Sequence, residues 1–460
     1  MNKDLVKKHF DTIALNYDEY QKRNWYYHKT IERIYKSIIP KRQIVIELGS
    51  ATGALLNAVE PRIGLGVDFS VRMIEISQKK YPHLRFIQDD IESFQSEQRF
   101  DYMIMSNVLD HVEDIWQVFD NAKRCLNEDA KIIITTVNPV WEPIFRLGNK
   151  FGLKTPDTTR NFITNKDIVN LLRLHDLDVI KEGLKFFIPK KIPLIAPLFN
   201  FFIPEIPFLR QLCAVQYIVA KVKRSKKIFS CSVVVPCFNE ADNIEICIKR
   251  TPKMGNFTEI IVVDDGSTDN TSEKVKSELN SELEIKLIKY NPNKGKGHAV
   301  KTGFDQAKGD ILMILDADIA VVPEELPRFY QPLAEGVADF INGTRYVYPM
   351  EEKAMKILNY GGNKIFSIIL SWIMEQRISD TLCGTKALFK KDYEKITMGR
   401  DPWGDFDLLF GGAKLKLKIM EMPVHYKERI AGQSKMKAFR HGLILLKMCW
   451  LGFRELKIFK

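Results

Sequence analysis

Residues 311–319, ILMILDADI, constrain the chain more than any other stretch. An unbroken apolar run, Ile311 to Leu315, stops abruptly at Asp316-Ala317-Asp318. That is the pattern of a strand buried on both faces of a parallel sheet, with two carboxylates at its C-terminal end. In open α/β sheets, ligands bind in the crevice at the carboxyl ends of the strands. Asp316 and Asp318, one residue apart at such an edge, suit a hard divalent cation, Mg²⁺ or Mn²⁺, whose shell is completed by phosphate and water. The plainer alternative is a strand-ending aspartate followed by an unrelated helix cap.

At 460 residues the chain is too long for one ordinary core, so two or three domains are expected. A net charge of +11 favours polyanionic neighbours such as nucleotides, acidic lipid or nucleic acid, without choosing among them. The seven cysteines are scattered and lack metal-ligand spacing, which argues against a disulfide framework or a zinc site and for a reducing compartment. The first residues, MNKDLVKKHFDTI, lack the apolar centre of a signal peptide. No window approaches the run of about 18 uncharged apolar residues that a membrane-spanning helix needs.

Residues 1–40 read as helical and are dense in Tyr17, Tyr20, Trp25, Tyr26 and Tyr27, either core or the cover of a ligand. Residues 43–53, QIVIELGSATG, read as a strand, a glycine turn and a helix start. Glycines there let the backbone approach a ligand closely. A second strand ends at Asp68, about 20 residues on, a placement suited to ribose hydroxyls. Further strands end in Asp89-Asp90, Ser106-Asn107 and Asn138-Pro139. Polar residues thus gather at one edge of a β/α alternation, as in a doubly wound sheet.

These residues resemble the class I S-adenosylmethionine-dependent methyltransferases over about residues 1–225. IELGSATG matches the first motif with Glu47, Gly49 and Gly53; Ala51 stands where that family often has glycine. The resemblance implies Asp68 on the ribose, Asp90 beside the adenine, and Ser106 and Asn107 flanking the methyl donor. Methyl transfer is driven largely by positioning, with a base needed only for an acceptor that must lose a proton. His111 and Asp110 are the nearest candidates, and a structural role for His111 is at least as open. A dinucleotide enzyme is disfavoured, because the spacing is Gly-x-x-x-Gly.

Residues 139–175 are expected to form a helical cap on the acceptor side, and residues 178–187 and 214–222 a closing antiparallel pair. Between them, residues 188–212 are rich in Phe, Leu, Ile and Pro, with Pro193, Pro197, Pro204 and Pro207 excluding a regular spanning helix. A buried hairpin insertion is the favoured reading; a segment that dips into a membrane interface or closes over a lipid-linked acceptor is the other.

The basic run KVKRSKK, residues 221–227, marks the domain boundary. Alternation then restarts, with strand ends at Pro236–Glu240 (PCFNE), at DDGSTD, residues 264–269, and, after the loop NPNKGKG, at the opening stretch. Their order resembles the family 2 glycosyltransferases of GT-A fold, and most nearly the dolichyl-phosphate mannosyltransferase and polyprenyl-phosphate branch, over about residues 229–436. The resemblance implies that Pro236, Glu240 and Asp265 contact the nucleoside, that Lys294 and Lys296 help with base or phosphate, and that Asp316 and Asp318 form the metal-binding Asp-x-Asp. It places Asp380 and Gly384 on the acceptor side, Asp405 and Asp407 in the late acidic motif as candidate bases, and Arg429, Ser434 and Lys435 in a phosphate-binding loop. Leu409 stands where the branch often has glutamate.

Residues 354–376 are expected as a helix broken at Gly361-Gly362. Residues 436–459 are expected as a basic amphipathic helix that lies on an anionic membrane, packs on the protein or pairs two chains.

The expectation is an α/β protein of two doubly wound Rossmann-like domains. Residues 1–225 form a methyltransferase domain, 226–436 a metal-dependent inverting glycosyltransferase domain, and 437–460 the C-terminal helix. The implied ligands are S-adenosylmethionine, Mg²⁺ or Mn²⁺, a nucleotide-diphospho-sugar and a glycan or polyprenyl-phosphate acceptor. The expected setting is cytoplasmic, with peripheral contact at the inner membrane face and no nucleic acid partner. One rival is a methyltransferase carrying a degenerate regulatory or scaffold domain; the intact acids speak against it. Another is a nucleic acid methyltransferase, for which the sequence offers no Asn-Pro-Pro-Tyr-type motif.

Overall fold

The computed structural model describes residues 3–150, 161–206, 208–279, 282–349, 357–426 and 438–458. Its internal contacts divide the chain into two compact units, Met1–Lys223 and Arg224–Lys460.

The first unit has one sheet of β1 (Ile44–Leu48), β2 (Ile63–Asp68), β3 (Arg85–Gln88), β4 (Phe100–Ser106), β5 (Leu126–Val137), β6 (Leu177–Lys185) and β7 (Val215–Val222). The order is β3-β2-β1-β4-β5-β7-β6, with β7 antiparallel to both neighbours. The continuous apolar runs follow from burial on both faces. In β4, Met103 and Met105 enter one core cluster while Ile104 enters the other. Strand order reverses between β1 and β4, which opens a crevice at their carboxyl ends.

The second unit repeats this logic with β8 (Cys231–Cys237), β9 (Thr258–Asp264), β10 (Glu284–Lys289), β11 (Ile311–Ile314), β12 (Phe340–Thr344), β13 (Lys386–Phe389) and β14 (Ile419–Pro423). The order is β10-β9-β8-β11-β13-β12-β14, with β13 antiparallel to β11 and β12. Ile311, Met313 and Leu315 pack on one face, Leu312 and Ile314 on the other. The reversal lies between β8 and β11, so Asp316 and Asp318 emerge at the crevice. Both domains are therefore α/β with a largely parallel sheet.

Two expectations are corrected. The helix Ile357–Met374 runs unbroken through Gly361-Gly362. Glycine weakens a helix through backbone entropy but keeps its N–H, so the hydrogen-bond ladder survives. Residues 188–212 are not a buried hairpin. They fold as a helix, Ile195–Phe202, and two short 3-10 turns, Ile203–Glu205 and Leu209–Leu212. In that helix only Ala196 is buried, while Leu198, Phe199, Phe201 and Phe202 are exposed. Of the stretch 139–175 expected as a helical cap, the helices Glu142–Lys150 and Asn165–Leu174 are seen, and residues 151–160 lie outside the described residues.

The C-terminal helix Ala438–Phe453 packs Leu445, Met448 and Cys449 into the second core, leaving Leu443, Leu446 and Trp450 exposed. Among the described residues, no helix is long and apolar enough to cross a membrane.

Candidate active sites

In the first unit the carboxyl ends of the strands open into a cavity of about 890 Å³. Glu47, Gly49, Asp68, Asp90, Ser106, Asn107 and His111 all line it. Gly53 lies in the turn beneath, at φ +79°, where an added Cβ would meet the Phe86 ring at 2.5 Å. Position 51 is the exception to the glycine pattern: Ala51 adopts φ 43° with a side chain.

Asp68 fixes that turn. Its carboxylate accepts the Ala51 amide at 2.8 Å and the Ser70 amide at 3.0 Å. Burial pushes its pKa up to about 6, against the pull of these amides. Glu47 accepts the Leu56 amide at 2.9 Å and so anchors the helix Ala54–Ala58. Burial raises its pKa well above the usual carboxylate range, and the Asp68 charge adds to this. Asn107, at φ 53°, ends β4 and donates to the Tyr27 hydroxyl at 3.4 Å. His111 packs edge-on against Phe10, with ring centroids 5.3 Å apart.

The sequence did not reveal what covers this site. The N-terminal helix Lys3–Arg23 is tied to it at three places. Lys3 reaches Asp90 at 2.8 Å and Glu92 at 2.9 Å. Asp11 accepts the Ser70 hydroxyl at 2.6 Å, and Asp18 accepts the Thr52 hydroxyl at 2.8 Å. Tyr17, Trp25 and Tyr27 line the cavity, whereas Tyr26 packs against the core. His28 also lines the cavity, and burial pushes its imidazole down to about 4, so it is neutral at neutral pH. No motif marks it.

In the second unit the loop after β10 folds around Asp265, whose carboxylate accepts the Lys294 amide at 2.7 Å and the Gly295 amide at 2.8 Å. Glu240 accepts the Asn243 side chain at 2.8 Å at the end of β8, just beyond Pro236 in the same strand. Lys294 lies over the Tyr290 ring, 5.1 Å from its centroid. Lys296 instead turns to the edge of β11 and meets Asp316 at 2.6 Å. Burial works against its charge, but Asp316, Asp405 and Asp318 outweigh this and raise its pKa. Gly384 permits the approach: a Cβ there would stand 2.1 Å from an Asp316 carboxylate oxygen and 2.6 Å from the Lys296 nitrogen.

Asp405 heads the helix Asp405–Lys414 and pairs at 2.8 Å with Lys386, which is fully buried. Asp407 is corrected from candidate base to loop anchor. It is fully buried and accepts the amides of Gly399 at 2.8 Å, Arg400 at 2.9 Å and Asp401 at 3.2 Å. Asp380 does not line an acceptor surface either. It is buried in a bidentate pair with Arg345, at 2.7 and 2.8 Å, that anchors its loop. Asp401, which the sequence reading missed, is buried beside Asp405; burial first, then that charge, pushes its pKa up to about 7. Arg429, Ser434 and Lys435 lie outside the described residues.

A divalent cation fits the edge of β11. Asp316 and Asp318 are both partly exposed hard oxygen donors, and Mg²⁺ is commonly held by one or two carboxylates together with substrate phosphates. No cluster of three or more acidic, His or Cys side chains that could hold a metal occurs among the described residues.

Two doubly wound α/β domains each gather polar groups at the switch point of their sheet. Residues 17–182 match the family described as "Methyltransferase domain", and residues 232–397 match "Glycosyl transferase family 2". The chain thus carries a region similar to a methyltransferase domain followed by a region similar to the family 2 glycosyltransferases. Among curated relatives, a dolichol-phosphate mannosyltransferase of Pyrococcus furiosus is 33% identical over 237 residues, 48% of this chain and 64% of the relative. An undecaprenyl-phosphate 4-deoxy-4-formamido-L-arabinose transferase of Salmonella paratyphi B is 28% identical over 214 residues, 45% of this chain and 63% of the relative. The chain thus spans slightly under two thirds of the length of these relatives. Among solved structures, a methyltransferase of Thermotoga maritima aligns at 17% identity and TM-score 0.39, over 47% of this chain and 99% of that one. A glucosyl-3-phosphoglycerate synthase of Mycobacterium tuberculosis aligns at 21% and 0.37, over 48% and 80%.

Proposed function

We propose that the chain is a bifunctional enzyme. Its second domain transfers a sugar, with inversion, from a nucleotide-diphospho-sugar to a polyprenyl-phosphate-type acceptor. Its first domain transfers a methyl group from S-adenosylmethionine to an acceptor of the same surface-glycan chemistry. The carrying observation is the charge arrangement at the end of β11: Asp316 and Asp318 beside the Lys296 ammonium, with Asp405 already held by buried Lys386.

Pro236, Glu240 and Asp265 flank the position of the nucleoside. Lys296 faces the place where negative charge develops as the nucleotide diphosphate departs, and stabilises it. A cation bound at Asp316 and Asp318 would supply further charge neutralisation to that leaving group. The acceptor oxygen forms its bond to the anomeric carbon as the bond to the diphosphate breaks. A hydroxyl acceptor would have to pass a proton to a base, and both carboxylates of the late acidic motif are engaged. A phosphate acceptor is already anionic and needs none. The names of the two curated relatives, each a polyprenyl-type phosphate transferase, favour the same choice.

In the first domain Asp68 receives the ribose hydroxyls, Asp90 lies on the adenine side, and Ser106, Asn107 and neutral His28 face the transferred methyl group. His111 stands beside them.

Isothermal titration with UDP- and GDP-sugars plus Mn²⁺ tests the reading, with S-adenosylmethionine titrated in parallel. The expected result is metal-dependent sugar-nucleotide binding that is lost in Asp316→Ala/Asp318→Ala while S-adenosylmethionine binding persists. Methyl-donor binding without any sugar-nucleotide binding would leave the second domain a scaffold.

A further inference from the structure

The insertion 188–212 and the helix beside it expose apolar side chains that the fold gives no use. Leu194 is 87% and Phe208 88% exposed. Leu194 is held there at φ 63°, a strained conformation for a bulky residue. The segment is nonetheless firmly built. Asn200 accepts the Ile188 amide at 2.7 Å and donates to the Ile188 carbonyl at 3.1 Å. Ala196, Ile203 and Cys213 are buried beneath it.

The apolar surface continues onto the helix Glu142–Lys150. The Trp141 indole donates to the Leu212 carbonyl at 2.7 Å and joins the two segments. Val140, Ile144 and Leu147, at helical spacing, are each more than half exposed. Monomeric soluble proteins rarely expose a contiguous patch of this kind without a partner.

Two observations identify what covers it. Its polar rim is basic: Lys190, Lys191 and Arg210 lie within the insertion and are exposed, and Lys191 stands over the half-exposed Trp25 ring, 5.3 Å from its centroid. The acid in the same segment, Glu205, is already paired with Lys185 at 3.1 Å. Aromatic and aliphatic tips inside a cationic rim complement an anionic lipid surface. The patch is also continuous with the cavity, since Trp25, Trp141, Ile144, Leu147, Pro189 and Lys190 line the cavity as well.

We propose that residues 188–212, with the exposed face of the helix Glu142–Lys150, dock the methyltransferase domain on an anionic lipid bilayer. The cavity mouth is thereby presented to an acceptor carried at the lipid surface. The second clause rests on the methyltransferase reading above; the docking itself does not.

The seven native cysteines are all buried, so a single introduced thiol is labelled selectively in the full chain. Leu194→Cys and Phe208→Cys, each carrying an environment-sensitive nitrobenzoxadiazole dye, are mixed with phosphatidylglycerol/phosphatidylcholine vesicles. Lys79→Cys, on the exposed face of the helix Val71–Lys80, serves as the control. The expected result is a blue shift and brightening at positions 194 and 208 and not at 79, stronger on anionic than on pure phosphatidylcholine vesicles, and weakened by salt. Leu194→Glu/Phe208→Glu, both facing solvent, should lower vesicle partitioning by about tenfold. Vesicle flotation without a change at 194 or 208 would show that another segment holds the lipid and would overturn the proposal. So would a shift that needs no vesicles and grows with protein concentration alongside a dimer in sedimentation, since the patch would then join two copies. Calorimetric titration of S-adenosylmethionine on the same labelled proteins keeps failure of the methyltransferase reading separate from failure of docking.

Discussion

At the scale of single residues, the two sites use carboxylates in opposite ways. Asp407 and Asp380 are consumed by local amides or a buried arginine and hold loops. Asp68 also holds a turn, yet it faces the cavity with its pKa pushed up to about 6 by burial. That value yields a prediction. Under the proposed assignment ribose hydroxyls donate to the ionised carboxylate, so S-adenosylmethionine binding should weaken as pH falls through about 6, approaching tenfold per unit below it. Asp68→Asn should bind more weakly at neutral pH and flatten the profile; titration calorimetry between pH 5 and 8 reads both, and an Asp68→Asn profile as steep as that of the native protein would refute the assignment. The unliganded protein behaves in the opposite sense. A carboxyl with a raised folded pKa takes up its proton more readily when folded, so its contribution to stability is fullest below about 3.8 and declines as pH rises to about 6. The acids themselves were legible, because each ends an apolar run. Their engagements were not. Lys3 reaches Asp90 across 87 positions and Lys386 is separated from Asp405 by its own strand and loop, and no local pattern encodes such pairs.

At the scale of elements, strands read clearly because β4 and β11 are apolar on both faces and end in polar residues, a signal carried within each segment. Helix Lys3–Arg23 was read as helical but not as a cover, since its ties to Thr52, Ser70, Asp90 and Glu92 join parts of the chain far apart in sequence. Residues 188–212 misled for a related reason. Apolar composition predicts burial when water is the only solvent considered, and this segment keeps its Phe and Leu side chains outward. The ties of the N-terminal helix lead to a second prediction. Asp11→Ala/Asp18→Ala removes two half-buried hydrogen bonds, from Ser70 and Thr52, each worth about 1 kcal/mol, and with them the exposed bonds from the Arg72 amide and Lys80. The expected outcome is a severalfold loss of S-adenosylmethionine affinity, expressed mainly as faster dissociation, with protease cleavage in residues 3–23 enhanced and then suppressed by ligand. Stopped-flow displacement measures the first and limited proteolysis the second. Unchanged dissociation would reduce the helix to packing.

At the scale of the whole molecule, each unit owns its core and its site. The first sheet is sandwiched between two clusters drawn from within Met1–Lys223, and the second between two drawn from Arg224–Lys460. Every residue lining the cavity lies in the first unit and every residue placed around Asp316 in the second. Cooperative unfolding follows shared cores, so the chain should melt in two transitions rather than one. A ligand that binds only the native form of one unit stabilises that unit by about 2.7 kcal/mol at a hundredfold excess over its Kd. S-adenosylhomocysteine should therefore raise one transition by several degrees and leave the other in place. A nucleoside diphosphate with Mn²⁺ should raise the other, and Asp316→Ala/Asp318→Ala should abolish only that second shift. Differential scanning calorimetry of the full chain reads all three. A single transition moved by both ligands would mean that the two units unfold as one cooperative body, and the separate assignment of cores would fall with it.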